Sequence, residues 1–147
     1  MRTIWTAGYE TSGQADFIAA LSAAGVQTVI DVRDIANSRR AGFAKRALSE
    51  GLAAAGIGYV HLKALGTPKA GREANKRGDM DAFHRIYDEA LAQPAAQLAL
   101  REAADIARDQ RACLLCLEAD WRRCHRAEIA ARLESEHGFE AVHLHIP

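Results

Sequence analysis

The stretch LLCLEADWRRCHRAEIAARL, Leu114 to Leu133, opens as an apolar run and closes as an amphipathic helix. A strand handing over to a helix through a polar joint is the repeating unit of an α/β fold. The joint holds two cysteines (Cys116 and Cys124), two carboxylates (Glu118 and Asp120), His125, and Arg122, Arg123 and Arg126. The segment that argues for the fold therefore also carries a concentration of reactive side chains.

The same alternation recurs along the chain. Thr3 to Ala7 is a short β-favouring run that stops at Gly8. Gln14 to Ala24 has helical spacing at Phe17, Ile18, Leu21 and Ala24, with Gly25 as its stop. Thr28 to Val32 is nearly continuous and β-branched, as in a strand covered on both faces. Lys45 to Ala55 reads as a helix, and Tyr59 to Leu62 as a third strand. Lys63 to Asp79 has three glycines, a proline, five basic residues and little periodicity, so it reads as a long loop. Asp81 to Gln93 and Ala95 to Asp109 are helical, with Pro94 placed to start the second. Ala112 to Leu117 is the fourth strand, His125 to Glu136 a helix ended by Gly138, and Ala141 to Ile146 the last strand. The expected architecture is a single α/β domain over residues 1–147, with a largely parallel sheet of about five strands flanked by helices. In such sheets ligands bind beyond the carboxyl ends of the strands.

Composition narrows the function classes. The 147 residues carry 19 basic and 19 acidic side chains, so net charge argues for neither nucleic acid nor a membrane surface as partner. No apolar run approaches the roughly 20 residues that span a bilayer, and no leader segment is visible. A cytoplasmic, non-membrane protein is expected. Three cysteines at these spacings do not suggest a disulfide framework. Nothing in the sequence sets an oligomeric state, and no cofactor is expected.

Strand alternation puts Cys116 and Glu118 on one face and Cys113 on the other. Cys113 and Cys116 form C-x-x-C in mid-strand, so Cys113 reads as core packing. The following helix is expected to start near Trp121 to Cys124, capped by Asp120. Cys124, His125 and Arg126 would then lie where free N–H groups and the dipole favour anions and lower a thiol pKa. Four readings stay open. One is thiol catalysis, with Cys116 or Cys124 as nucleophile and Glu118 or His125 as acid or base. Another gives Cys116, Cys124 and His125 to a metal such as zinc, although C-x7-C-H is no standard finger spacing. A third is a non-enzymatic anion or nucleotide pocket, and a fourth is plain burial of small thiols. Cys116 and Arg122 match the C-x5-R spacing of cysteine phosphatases, but Glu118 and Asp120 sit where a phosphate cradle should hold only N–H donors.

A second segment, DVRDIANSRRAGF, runs from Asp31 to Phe43. Asp31 and Arg33 share a strand face, and Ser38, Arg39 and Arg40 follow in a loop. Arginine forks suit phosphate or carboxylate. Arg33, Arg39 and Arg126 are therefore expected to clamp an anionic ligand, with Tyr9, Asp31 and Ser38 beside them. The basic residues of the long loop, Lys69, Arg72, Lys76 and Arg77, could close over it.

These motifs together, TAGYE at Thr6 to Glu10, DVR with SRR at Asp31 to Arg40, GIGYVHLKALG at Gly56 to Gly66 and the C-x-E…C-H-R core, resemble domain of unknown function 488, a bacterial and archaeal family. The strand-end cysteine and the early D-V-R also resemble rhodaneses, more loosely. The family resemblance covers nearly the whole chain in order. It implies one α/β domain and carries Cys116, Glu118, Cys124, His125 and Arg126, with Asp31, Arg33, Ser38 and Arg39, as motif positions. Ala36 stands where the family commonly has proline, and Thr67 where a second glycine is frequent. The combined expectation is a Cys/His/Arg cleft for an anionic small molecule, most simply phosphate-bearing, or for a nucleic-acid fragment.

Overall fold

The computed structural model describes residues 2–146. Its five strands are β1 (Arg2–Gly8), β2 (Thr28–Asp31), β3 (Gly58–His61), β4 (Ala112–Cys116) and β5 (Phe139–His143). They form one sheet in the order β3-β2-β4-β1-β5, and every pairing is parallel. The expected α/β class and parallel sheet are therefore present. β2 is buried at all four positions because both faces of the sheet are covered.

Each face has its own core. Ala7, Val29, Cys113 and Leu115 pack under Phe17 and Leu21 of α1 (Gln14–Ala23) and Leu48 and Leu52 of α2 (Lys45–Ala54). Ile4, Ile30, Leu114 and Cys116 pack against the other set. That set contains α5 (Pro94–Asp109), α6 (Arg126–His137) and the Tyr87 and Leu91 side chains of α4 (Met80–Leu91). The stripe of α5 facing the sheet is Ala96, Ala99, Leu100, Ala103, Ala104 and Ala107, small enough for close approach. Local signals act as chemistry requires: Pro94 opens α5, the Asp79 carboxylate accepts from Ala82 N–H at 3.1 Å to cap α4, and Gly138 (φ 75°) ends α6.

Three expectations are corrected. Lys63 to Asp79 is not a loop. It holds a 3-10 turn at Lys63–Leu65 and the helix α3 (Lys69–Lys76). α3 buries only Gly71 and Ala74, so no large apolar residue marks its buried face, and Ala74 packs against Ala82 and Phe83 of α4. The last strand starts earlier than expected and ends at His143, leaving His145 outside, because the chain enters β5 directly from the Gly138 turn. Asp120 does cap, but it caps a 3-10 turn at Trp121–Arg123, and α6 begins only at Arg126. Among the described residues no helix is long and apolar enough to cross a membrane.

Candidate functional site

β4 lies between β2 and β1, although the chain visits it fourth. The carboxyl ends of β1, β2 and β4 therefore sit side by side, and the chain leaves β1 and β2 towards one face and β4 towards the other. A crevice opens where such connections part. Gly8 ends β1 at this point. A Cβ there would overlap the Glu118 carbonyl oxygen, so a glycine lets the segment after β4 cross close over β1. That crossing is held by Tyr9 N–H to Cys116 O (3.3 Å), Glu10 N–H to Leu117 O (2.8 Å) and Ala119 N–H to the Glu10 carboxylate (3.1 Å).

Cys116 ends β4, and its sulfur faces away from that of Cys113. Cys113 lies in the core under α1 and α2, fully buried and free, with burial pushing its thiol up to about 12. Cys116 and Cys124 are joined as a disulfide, with Cα atoms 7.4 Å apart. This corrects the expectation that three cysteines at these spacings form no disulfide framework. The turn at Trp121–Arg123 folds the chain back, so residues eight apart in sequence bring their sulfurs together.

The surroundings of the pair are polar and closely arranged. Glu118 Oε2 is 3.5 Å from Cys116 Sγ, and burial raises its carboxyl pKa. His125 Nδ1 is 3.7 Å from Cys124 Sγ. Its Nε2 donates to Val32 O at 2.6 Å, which leaves the Nδ1 lone pair facing the sulfurs. Burial pushes the His125 pKa down to about 4, so the ring is neutral at pH 7. Arg126 is fully buried. Its Nη1 donates to Cys116 Sγ at 3.0 Å and to Glu118 O, Nη2 to Ala119 O at 3.1 Å, and Nε to Thr6 Oγ1 at 3.2 Å. The Arg126 backbone N–H points at Cys124 Sγ from 3.4 Å.

Arg33 is engaged in the same internal way. Its Nε and Nη2 bind Asp31, with the closest approach 2.7 Å, and Nη1 donates to Tyr9 OH (3.1 Å) and Phe43 O (2.7 Å). Asp31 also accepts from Tyr59 OH at 2.5 Å. Tyr9 is stacked on Phe43, ring centroids 4.4 Å apart.

Above these groups lies a cavity of about 560 Å³, lined by Tyr9, Arg33, Cys116, Glu118 and His125. α3 walls its far side with Arg72, Asn75 and Lys76. Arg72 pairs with Asp34 at 2.7 Å, and Asn75 Nδ2 donates to Arg123 O at 2.9 Å, so α3 is tied to the loops after both β2 and β4. Gly66 lets that wall approach, since a Cβ there would overlap the Asp34 backbone. Of the lining cations, Arg33 and Arg72 are matched to carboxylates, while Lys76 and Arg123 make no ion pair among the described residues.

The sequence reading gathered Cys116, Glu118, Cys124 and His125, and they do meet here. Asp31, Arg33 and Tyr9 adjoin them. Ser38 and Arg39 do not line the cavity: the Ser38 oxygen accepts from Arg40 N–H at 3.1 Å, and Arg39 is exposed. Arg126 adjoins the sulfurs but directs its donors at the protein's own atoms. Of the other histidines, His61 Nε2 lies 2.7 Å from Arg33 O, His84 pairs with Glu128, and His143 stacks on Trp121 at 3.9 Å. Asn75, Arg123 and the Val32 carbonyl were not read from sequence as site groups. Only the non-periodic stretch from Lys63 to Asp79, too long for a plain connection, hinted at a wall there.

A parallel α/β sheet with a buried, joined cysteine pair beyond the end of β4 defines the class of protein. The chain belongs to the family described as domain of unknown function DUF488, whose family model matches residues 14–133. The matched region includes β2, β4 and both joined cysteines. No curated protein and no solved structure matches the chain.

Proposed function

We propose that the chain is a thiol–disulfide redox enzyme whose cleft takes a small substrate bearing an anionic group, carboxylate or phosphate. The observation that carries this reading is the joined pair Cys116–Cys124 at the floor of a cavity that Cys116 itself lines. Such a pair stores and releases two electrons.

In the reduced state Cys116 is the sulfur nearer the ligand. Its negative charge is supported by Arg126 Nη1 at 3.0 Å, and Glu118 Oε2 at 3.5 Å is in reach of its proton. The Cys116 thiolate attacks one sulfur of a small disulfide, R–S–S–R, forming a mixed disulfide and releasing RS⁻. Cys124, with His125 Nδ1 in reach of its proton, then attacks the Cys116 sulfur. The second RS⁻ leaves and the Cys116–Cys124 disulfide forms. The substrate gains two electrons, the protein loses two, and an external small thiol restores the dithiol. Lys76 and Arg123 at the rim are the cations left to meet the anionic group of R.

Reduced protein mixed with oxidised glutathione, whose carboxylates suit the rim, tests this. Two protein thiols per chain should be lost and two equivalents of glutathione released. A Cys124→Ser variant should trap one glutathione on Cys116. Unchanged thiol content, or glutathione trapped only elsewhere, would overturn the reading.

A further inference from the structure

We infer that the reduced pair, together with His125, forms a binding site for a thiophilic divalent cation such as zinc. The inference rests on the proposed reading in one respect, that the disulfide can be opened to a dithiol.

The sulfurs of Cys116 and Cys124 and a ring nitrogen of His125 lie within 4.8 Å of one another, all on buried residues. Two thiolates and an imidazole are a set that zinc takes readily, at about 2.3 Å for sulfur and about 2.0 Å for nitrogen. Ligand atoms around a tetrahedral ion of that size sit between 3 and 4 Å apart by simple geometry, roughly the spread available here once the sulfurs part. The Cα atoms of the two cysteines, 7.4 Å apart, lie beyond the roughly 4.4–6.8 Å of most disulfides. That separation suits two thiolates that flank an ion.

The outer groups fit as well. The His125 Nε2 donation to Val32 O, 2.6 Å, is the arrangement that orients a ligating imidazole and leaves its other nitrogen free to bind. Each sulfur has an N–H donor aimed at it: Arg126 Nη1 at 3.0 Å from Cys116, and the Arg126 backbone at 3.4 Å from Cys124. Donors of this kind support thiolate charge that a cation only partly neutralises. The fourth position faces Glu118 and the cavity, so it is available to that carboxylate, to water or to a ligand.

The disulfide and the ion then exclude each other. Oxidation of the metal-bound dithiolate by R–S–S–R yields the Cys116–Cys124 disulfide, two RS⁻ and the released cation, which balances atoms and electrons. An ion would protect the thiols, and oxidation would expel it.

The test is a cobalt(II) titration of the full chain, reduced and then freed of reductant without oxygen. Thiols are counted under denaturing conditions in the same sample. The expected result is one cobalt per chain, with thiolate-to-cobalt charge-transfer bands in the near ultraviolet. Zinc should displace the bands, and cobalt should slow alkylation of Cys116 and Cys124. Cys113→Ala should keep the bands, and His125→Ala should weaken binding at least about tenfold, since even outer groups contribute that much. Three thiols per chain with no charge-transfer bands in the unaltered protein would overturn the metal site alone. One thiol per chain after reductant would overturn the redox reading and the metal site with it.

Discussion

Arg126 shows how a charged side chain can belong to the buried face of its helix. It stands in the C-H-R run, where an anion clamp is the natural expectation. Yet it shares one stripe of α6 with Ile129, Ala130 and Leu133, at i, i+3, i+4 and i+7, and that stripe is the buried one. The guanidinium bridges β1 to the segment after β4 through Thr6, Cys116, Glu118 and Ala119. Replacing it leaves buried carbonyl groups without partners, so Arg126→Met should cost about 3 kcal/mol of stability or more in urea unfolding. Arg39→Ala, at an exposed position outside the cavity, should stay within about 0.5 kcal/mol of the unaltered chain. The disulfide partner of Cys116 was not legible in the same way. Nothing in the spacing of three cysteines says that a 3-10 turn will fold Cys124 back onto the end of β4.

The strands and long helices were legible because burial imposes a period on them, as in the four buried residues of β2 and the alanine stripe of α5. α3 was not, because it is short, strongly basic and buries only Gly71 and Ala74. A helix of that kind is held by its neighbours. Its backbone amides should therefore exchange with solvent well before those of α5, which buries six residues, and hydrogen exchange with mass spectrometry reads this directly. β5 carries a pH-dependent contact. His143 stacks on Trp121 and bonds Thr6 Oγ1 at 2.6 Å, and its pKa is lowered by burial and then by Arg126, with Arg122 and Glu134 also near. A lowered native pKa means that the unfolded chain binds the proton first as pH falls. The contribution is present above the unfolded value of about 6.5 and is lost on acidification towards the native value. His143→Gln should lose less stability than the unaltered chain between about pH 7 and pH 5, and the His143 ring should titrate below 6.5 by NMR.

The sheet order is what the sequence conceals most. Alternating strands and helices argue for a parallel sheet, but no local pattern says that β4 enters between β2 and β1. That insertion gathers the ends of three strands, and with them Tyr9, Arg33 and Cys116, from positions far apart in the chain. The grouping of Cys116, Glu118, Cys124 and His125 was legible because these residues are near in sequence, and their side chains do lie together. What tertiary packing supplies was not legible, as with Asn75 of α3 in the cavity wall and the Val32 carbonyl that holds His125. Two of the three expected clamps, Arg33 and Arg126, bind the protein's own atoms, and the third is exposed away from the cavity. Lys76 and Arg123 remain as the cavity-lining cations that make no ion pair among the described residues.

The redox chemistry proposed for the cleft requires a reactive thiol at its floor. The most direct measurement is alkylation of the reduced, folded protein across pH, with chelator present and each cysteine assigned by mass spectrometry. Cys116 should label in the folded state, with a midpoint below the thiol reference of about 8.5, while Cys113 labels only after unfolding. A Cys116 as inert as Cys113 until the chain unfolds would contradict it and leave the pair as packing beneath the cleft.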